Sequence, residues 1–131
     1  MAGTLKFELV TPERMALSED VAQVVVPGVE GEFTVLPGHA PVISALRPGV
    51  IEVTLAEGGE TERIFVKGGF AEVDADRVTV LAERAMAVEQ MSADVVAAEL
   101  ETAEAELAAA DDDASRLAAA SAVERLKAMG R

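Results

Sequence analysis

The 131-residue chain has no cysteine, no tryptophan and no tyrosine, and its one histidine is His39. Without cysteine there is no disulfide scaffold, no thiol nucleophile and no thiolate zinc site. Aromatic residues make up 3% of the chain, all of them phenylalanine, so a stacking platform for bases is missing. Positive charge is also scarce: 11 Lys and Arg against 24 Asp and Glu give a formal net charge of −13. No basic stripe can neutralise phosphates, which argues against nucleic acid as a partner, and anionic lipid repels such a chain. No apolar run approaches the roughly 18 residues of a membrane span, so membrane contact is expected only through another protein. The opening residues, Met1 to Lys6, carry neither an apolar signal core nor Arg-rich transit character. The expectation is a soluble protein that stays in the compartment where it is made.

What is present is unevenly spread. All five prolines lie at or before Pro48, and nine of ten glycines lie at or before Gly69. From Val88 to Arg131 there are 14 alanines, one glycine and no proline. A Gly/Pro-punctuated half followed by an Ala/Glu-rich half predicts strands and then helices, in separate layers. Strand signals recur at Leu5–Leu9, Val21–Val26, Phe33–Leu36, Val42–Leu46, Val50–Leu55, Arg63–Lys67, Phe70–Val73 and Val78–Leu81. That spacing suits a β-sandwich over about residues 4–85, here expected to have antiparallel neighbours throughout. The domain division expected is 1–87 for the sandwich and 88–131 for a helical hairpin.

In the second region Ser92 is a good N-cap, and Val96, Leu100, Ala103 and Leu107 share one helical face. Glu99, Glu101, Glu104 and Glu106 are expected on its wet side. Asp111-Asp112-Asp113 breaks the pattern, with Asp113 capping a second helix along whose face Ala119, Ala122, Leu126 and Met129 repeat. Gly130 ends it. Facing alanines let two axes approach closely but bury little area, so the hairpin by itself is weakly held. It can undock, or rest on something else.

Chemistry is hard to find. His39 sits in Pro37-Gly38-His39-Ala40-Pro41, where a packed or hydrogen-bonded loop histidine is the plain reading and an interface contact the sharper one. No serine stands in a nucleophile-elbow pattern. Asp74-Ala75-Asp76 lacks the later ligands of a calcium loop and reads as a turn. Gly28-Val29-Glu30-Gly31-Glu32 leads into a strand, has no following lysine and carries two acids, so it is no phosphate cradle. Neither catalytic nor metal-binding residues nor a cofactor are expected.

The segment Gly31-Glu32-Phe33-Thr34-Val35-Leu36-Pro37-Gly38-His39-Ala40-Pro41 resembles the signature of the epsilon subunits of F-type ATP synthases. Leu9-Val10-Thr11-Pro12 before it, and Leu46-Arg47-Pro48-Gly49, Val66-Lys67-Gly68-Gly69-Phe70 and Val78-Thr79-Val80-Leu81-Ala82 after it, follow the family's order and spacing. The resemblance covers the whole chain and implies a β-sandwich followed by an antiparallel helical hairpin. It implies a non-catalytic rotor subunit of the central stalk, which locks the gamma shaft to the c-subunit ring for ATP synthesis. By position, Thr11, His39 and Ser44 match the face that meets gamma, and Glu32 the acidic residue facing the ring. The hairpin is then a regulatory element that reaches the alpha and beta subunits. The resemblance further implies a peripheral location on the cytoplasmic face of the bacterial inner membrane.

One stretch departs from the family. Nucleotide-binding members carry an Asp and an Arg at the start of the first helix; the corresponding positions here are Ser92 and Val95. A valine cannot donate to phosphate, and Asp94 and Glu99 would repel it. Cofactor binding there is not expected, and inhibition of ATP hydrolysis by the hairpin is weak at most. A small-ligand-binding β-sandwich module is the alternative reading, disfavoured by the lack of an aromatic platform.

Overall fold

Alternation along the first strand places Leu5, Phe7 and Leu9 in the interior and leaves Lys6 and Glu8 half-buried. Nine strands follow one another in the computed structural model, which describes residues 3–129, and β3, β7 and β8 show the same alternation. They are β1 Leu5–Thr11, β2 Arg14–Gly28, β3 Gly31–Val35, β4 Val42–Ala45, β5 Gly49–Leu55, β6 Thr61–Val66, β7 Gly69–Val73, β8 Arg77–Ala82 and β9 Ala85–Ala87. A single path of hydrogen-bonded neighbours runs β4-β7-β8-β1-β2-β5-β6-β9, and β3 flanks β2. The 15-residue β2 pairs with β1 over Arg14–Val21, and from Val21 onward with β5 and then β3. Register shifts interrupt the β1–β2 ladder at Leu9/Val10 and the β2–β5 ladder at Val21/Gln23, the second where β2 passes from β1 to β5. The strand is therefore far longer than the Val21–Val26 segment its β-branched residues suggest. Between the layers lies one core, with Phe7, Val24, Val35, Ile51, Val53, Val78 and Val80 all fully enclosed.

The sandwich is not antiparallel throughout. β1 and β8 run parallel, from Lys6 opposite Arg77 to Val10 opposite Leu81. A hairpin cannot make such a pair; it needs a long crossover, which the chain between them supplies. The short strand β9, added antiparallel beside β6, has no signal in the sequence beyond three small or flexible residues.

Helix α1 spans Ala93–Ala109 and α2 spans Asp113–Met129. Ser92 caps the first as expected, its Oγ accepting from the Val95 amide at 3.3 Å. The cap of the second is Asp112, whose Oδ1 accepts from the Ser115 amide at 2.6 Å, and not Asp113, which is already helical. The expected stop at Gly130 lies outside the described residues.

The hairpin rests on the outer face of β5 and β6. Ile51 and Ile64 point into the sandwich core, whereas their neighbours Val50 and Phe65 point outward. There they meet Val96, Ala103, Ala122, Val123 and Leu126 in a second core. Phe65 is fully buried by this contact, so truncating it costs about 3–5 kcal/mol. Glu99, expected on the wet side of α1, is in fact buried at this seam and paired with Arg84. The wheel pattern could not reveal this, because the arginine lies outside both helices.

Candidate interaction surface

The sandwich has two outer faces, and the hairpin covers only one. The other, built by β4, β7, β8 and β1, carries a row of aligned side chains. Ala45 stands opposite Phe70, Phe70 opposite Leu81, Leu81 opposite Val10, and Val10 opposite Met15 of β2. Phe70, Leu81 and Met15 are each more than half exposed, and Ile43 of β4 is 69% exposed. The next outward row, Ile43, Glu72, Thr79 and Glu8, turns polar across the same strands. Its Glu8 meets Arg77 at 3.3 Å. An apolar row bordered by a polar one is the anatomy of an interface core and rim.

Local geometry fixes this row. Gly69 has φ of +123°, and a Cβ there would lie 1.9 Å from the Leu81 carbonyl oxygen. Only glycine allows β7 to approach β8 this closely, and that approach sets Phe70 beside Leu81. Thr11 ends β1 at the margin of the row and, with Pro12, Phe70 and Leu81, lines a shallow cleft of about 300 Å³.

Ser44, on β4, lies opposite the buried Ala71 and is turned to the inner edge of the sheet. Its hydroxyl donates to the Ala45 carbonyl at 3.0 Å. A Cβ on Gly28 would come within 3.0 Å of Ser44 Oγ and 3.1 Å of the Phe33 ring. Close backbone approach at Gly28 thus clusters Ser44 with Phe33, whose ring centroid is 6.3 Å from that of His39. His39 Nδ1 lies 2.7 Å from the Ala40 carbonyl, and the loop is pinned by Gly38 N–H to the Ala75 carbonyl at 2.7 Å. Ser44 and His39 therefore gather at the β4 edge, while Thr11 stands beyond β7 and β8 at the other margin. Glu32 is exposed on β3 opposite Pro27 and lines a separate groove of about 100 Å³ with Arg47 and Arg125.

Ser92 and Val95 are joined to each other by the cap of α1, so the serine hydroxyl is already engaged. Among the described residues no group of three acids or histidines stands where it could hold a metal ion. None of the helices described is long and apolar enough to cross a membrane. The side chains that reasoning from sequence did not single out are Met15, Ile43, Phe70 and Leu81. Phe70 and Leu81 meet in the β7–β8 hairpin, but Val10 and Met15 extend the pair into a row only once β1 is paired with β8.

Residues 4–88 match the family model described as ATP synthase, delta/epsilon chain, beta-sandwich domain. The chain is 46% identical over 129 residues to the ATP synthase epsilon chain of Maricaulis maris, covering 98% of this chain and 96% of that one. It is 53% identical over 96 residues to that of Rhodospirillum rubrum, covering 73% and 71% respectively. Among solved structures, a chain of the Euglena gracilis mitochondrial ATP synthase (OSCP/F1/c-ring) aligns with TM-score 0.72 and 30% identity, over 95% of this chain and 78% of that one. A chain of the Tetrahymena thermophila mitochondrial ATP synthase (central stalk/c-ring) has the same fold, with TM-score 0.69 at 16% identity, over 99% and 98% of the two chains.

Proposed function

The chain belongs to the ATP synthase delta/epsilon family, and from that premise we propose that it is a non-catalytic rotor subunit of the central stalk. It is part of a membrane-associated complex; its own place there is the cytoplasmic face of a bacterial inner membrane, held peripherally through its partners. The sandwich, residues 1–87, grips the gamma shaft and bears on the c ring. The hairpin, residues 88–131, is an accessory element that can meet the alpha and beta subunits. With Val95 where other members have an arginine, the hairpin is not a nucleotide sensor.

One observation carries this reading: the row of exposed Phe70, Leu81 and Met15, joined through the half-buried Val10, on the face that the hairpin leaves open. A preformed sheet transmits torque without reorganising, and its apolar row supplies a desolvated contact to a shaft. Thr11 borders this row, with Ser44 and His39 at the β4 edge, and we assign these three residues to the gamma side. Glu32, exposed in its own groove, is assigned to the ring side.

Binding of the chain to a purified rotor of gamma and c ring tests the proposal. Phe70→Asp and Leu81→Asp should each weaken binding by about 2 kcal/mol or more, since a charge would then be buried in the contact. Both positions are exposed in the free chain, so folding should be little affected. Full affinity in both variants would remove this face from the interface.

A further inference from the structure

The second core is thin. Three of the buried helix side chains that form the hairpin's inner side are alanines, Ala103, Ala119 and Ala122, beside Val96, Val123 and Leu126. Into this seam the chain places a carboxylate: Glu99 of α1 is only 6% exposed, the one charged or polar residue so buried among those described. Its Oε2 forms an ion pair with Arg84 Nη2 at 2.5 Å. Arg84 belongs to the connection between β8 and β9, on the sandwich, and its side chain is 59% exposed. It reaches from solvent over the seam and caps the carboxylate. Two further polar contacts cross between the parts. Lys67 Nζ meets Glu106 Oε1 at 3.4 Å, and Ser121 Oγ donates to the Pro48 carbonyl at 2.9 Å.

We propose that the Arg84–Glu99 pair is the latch that keeps the hairpin on the sandwich, with Lys67 and Ser121 as secondary catches. This rests on reading the hairpin as a movable part. The docked form is then held by the chain's own charges and needs no bound ligand. The physical reason is asymmetry. Docking strips water from the Glu99 carboxylate, and only the guanidinium replaces it. Without Arg84 the docked form holds an uncompensated charge, whereas the undocked form returns Glu99 to water. Replacing the carboxylate by an apolar group of similar volume removes both the need for the latch and the reason to leave.

The test uses the full chain, which has no cysteine, so spin labels can be attached specifically to cysteines introduced at exposed Glu57 and Ala120. Pulsed electron resonance reads the distance between the β5–β6 turn and α2. The parent should give one short distance. Arg84→Met should lower the docked-to-undocked ratio roughly tenfold, less than for a fully enclosed pair because solvent surrounds the arginine. Glu99→Leu, and the double variant Arg84→Met with Glu99→Leu, should both stay docked. Lys67→Ala should shift the ratio less than Arg84→Met. An unchanged distance in Arg84→Met overturns the latch. So does an undocked double variant, which would mean that Arg84 acts by packing and not by charge. Should Arg84→Met fail to fold, the double variant decides: it must fold and dock. These readings need no rotor, so a chain that latches as described yet ignores gamma and the c ring refutes the rotor assignment alone.

Discussion

Glu19 stands on β2 between Leu17 and Val21, which pack inward, and its Oε2 is buried without a hydrogen-bond partner. Partial burial, and then the nearby Glu62 carboxyl, raise its pKa above the ordinary carboxylate value. The folded chain therefore holds this proton to higher pH than the unfolded chain does. Stability from this site is full below the unfolded pKa and declines as pH rises through the raised one. Glu19→Gln keeps the shape and removes the charge. Its melting temperature should exceed that of the parent at pH 7, and the two should converge near pH 4. A parent that melts higher than the variant at pH 7 would show that the ionised carboxylate is stabilising here. The site is a cost carried by the fold at neutral pH, and none of the interface assignments depends on it.

Helix ends show what an element owes to single side chains. Ser92→Ala removes the acceptor at the Val95 amide and should destabilise the start of α1 by about 1 kcal/mol, read as lost amide protection over its first turn. For α2 the structure separates two neighbouring acids. Asp112→Ala should fray the first turn, whereas Asp113→Ala should lose only an exposed contact to Arg116. Hydrogen bonding from Ser115 lowers the Asp112 pKa. The cap therefore contributes above the unfolded pKa and fades as pH falls through the lowered one. Equal fraying in both variants would contradict this capping geometry. Helices were legible in the sequence because caps and period are local: Ser92 and the Val96–Leu107 stripe lie within a few turns. The same locality explains the errors. Adjacent aspartates compete equally on paper for one cap. The carboxylate of Glu99 looks wet until a distant arginine arrives. Strand positions were legible from Gly and Pro punctuation, but the β1–β8 pairing joins opposite ends of the sandwich, and no local signal encodes it. The extension of the Phe70–Leu81 pair through Val10 and Met15 was hidden for that reason, while Glu32 and His39 were singled out by a contiguous motif.

At the scale of the molecule, two cores share one layer of strands. β5 and β6 are buried on both sides, by the sandwich through Ile51 and Ile64 and by the hairpin through Val50 and Phe65. Function divides differently from packing: the residues assigned to shaft and ring all precede Ser92, and the hairpin covers the face opposite the open apolar row. A chain ending at Val88 should therefore keep its affinity for the gamma–c-ring rotor within about threefold, a difference under 1 kcal/mol. It should also melt at a lower temperature, because Phe65, Val50 and Met86 lose their cover and expose an apolar patch. The truncated chain should self-associate as its concentration rises. Adding Phe65→Thr should reduce that association and leave rotor affinity alone, because this side chain faces away from the row. Sedimentation and rotor binding measured on both chains separate the two effects. If the shortened chain stays monomeric and folded yet loses the rotor, the hairpin contributes directly to the grip, and the assignment of coupling to residues 1–87 is wrong.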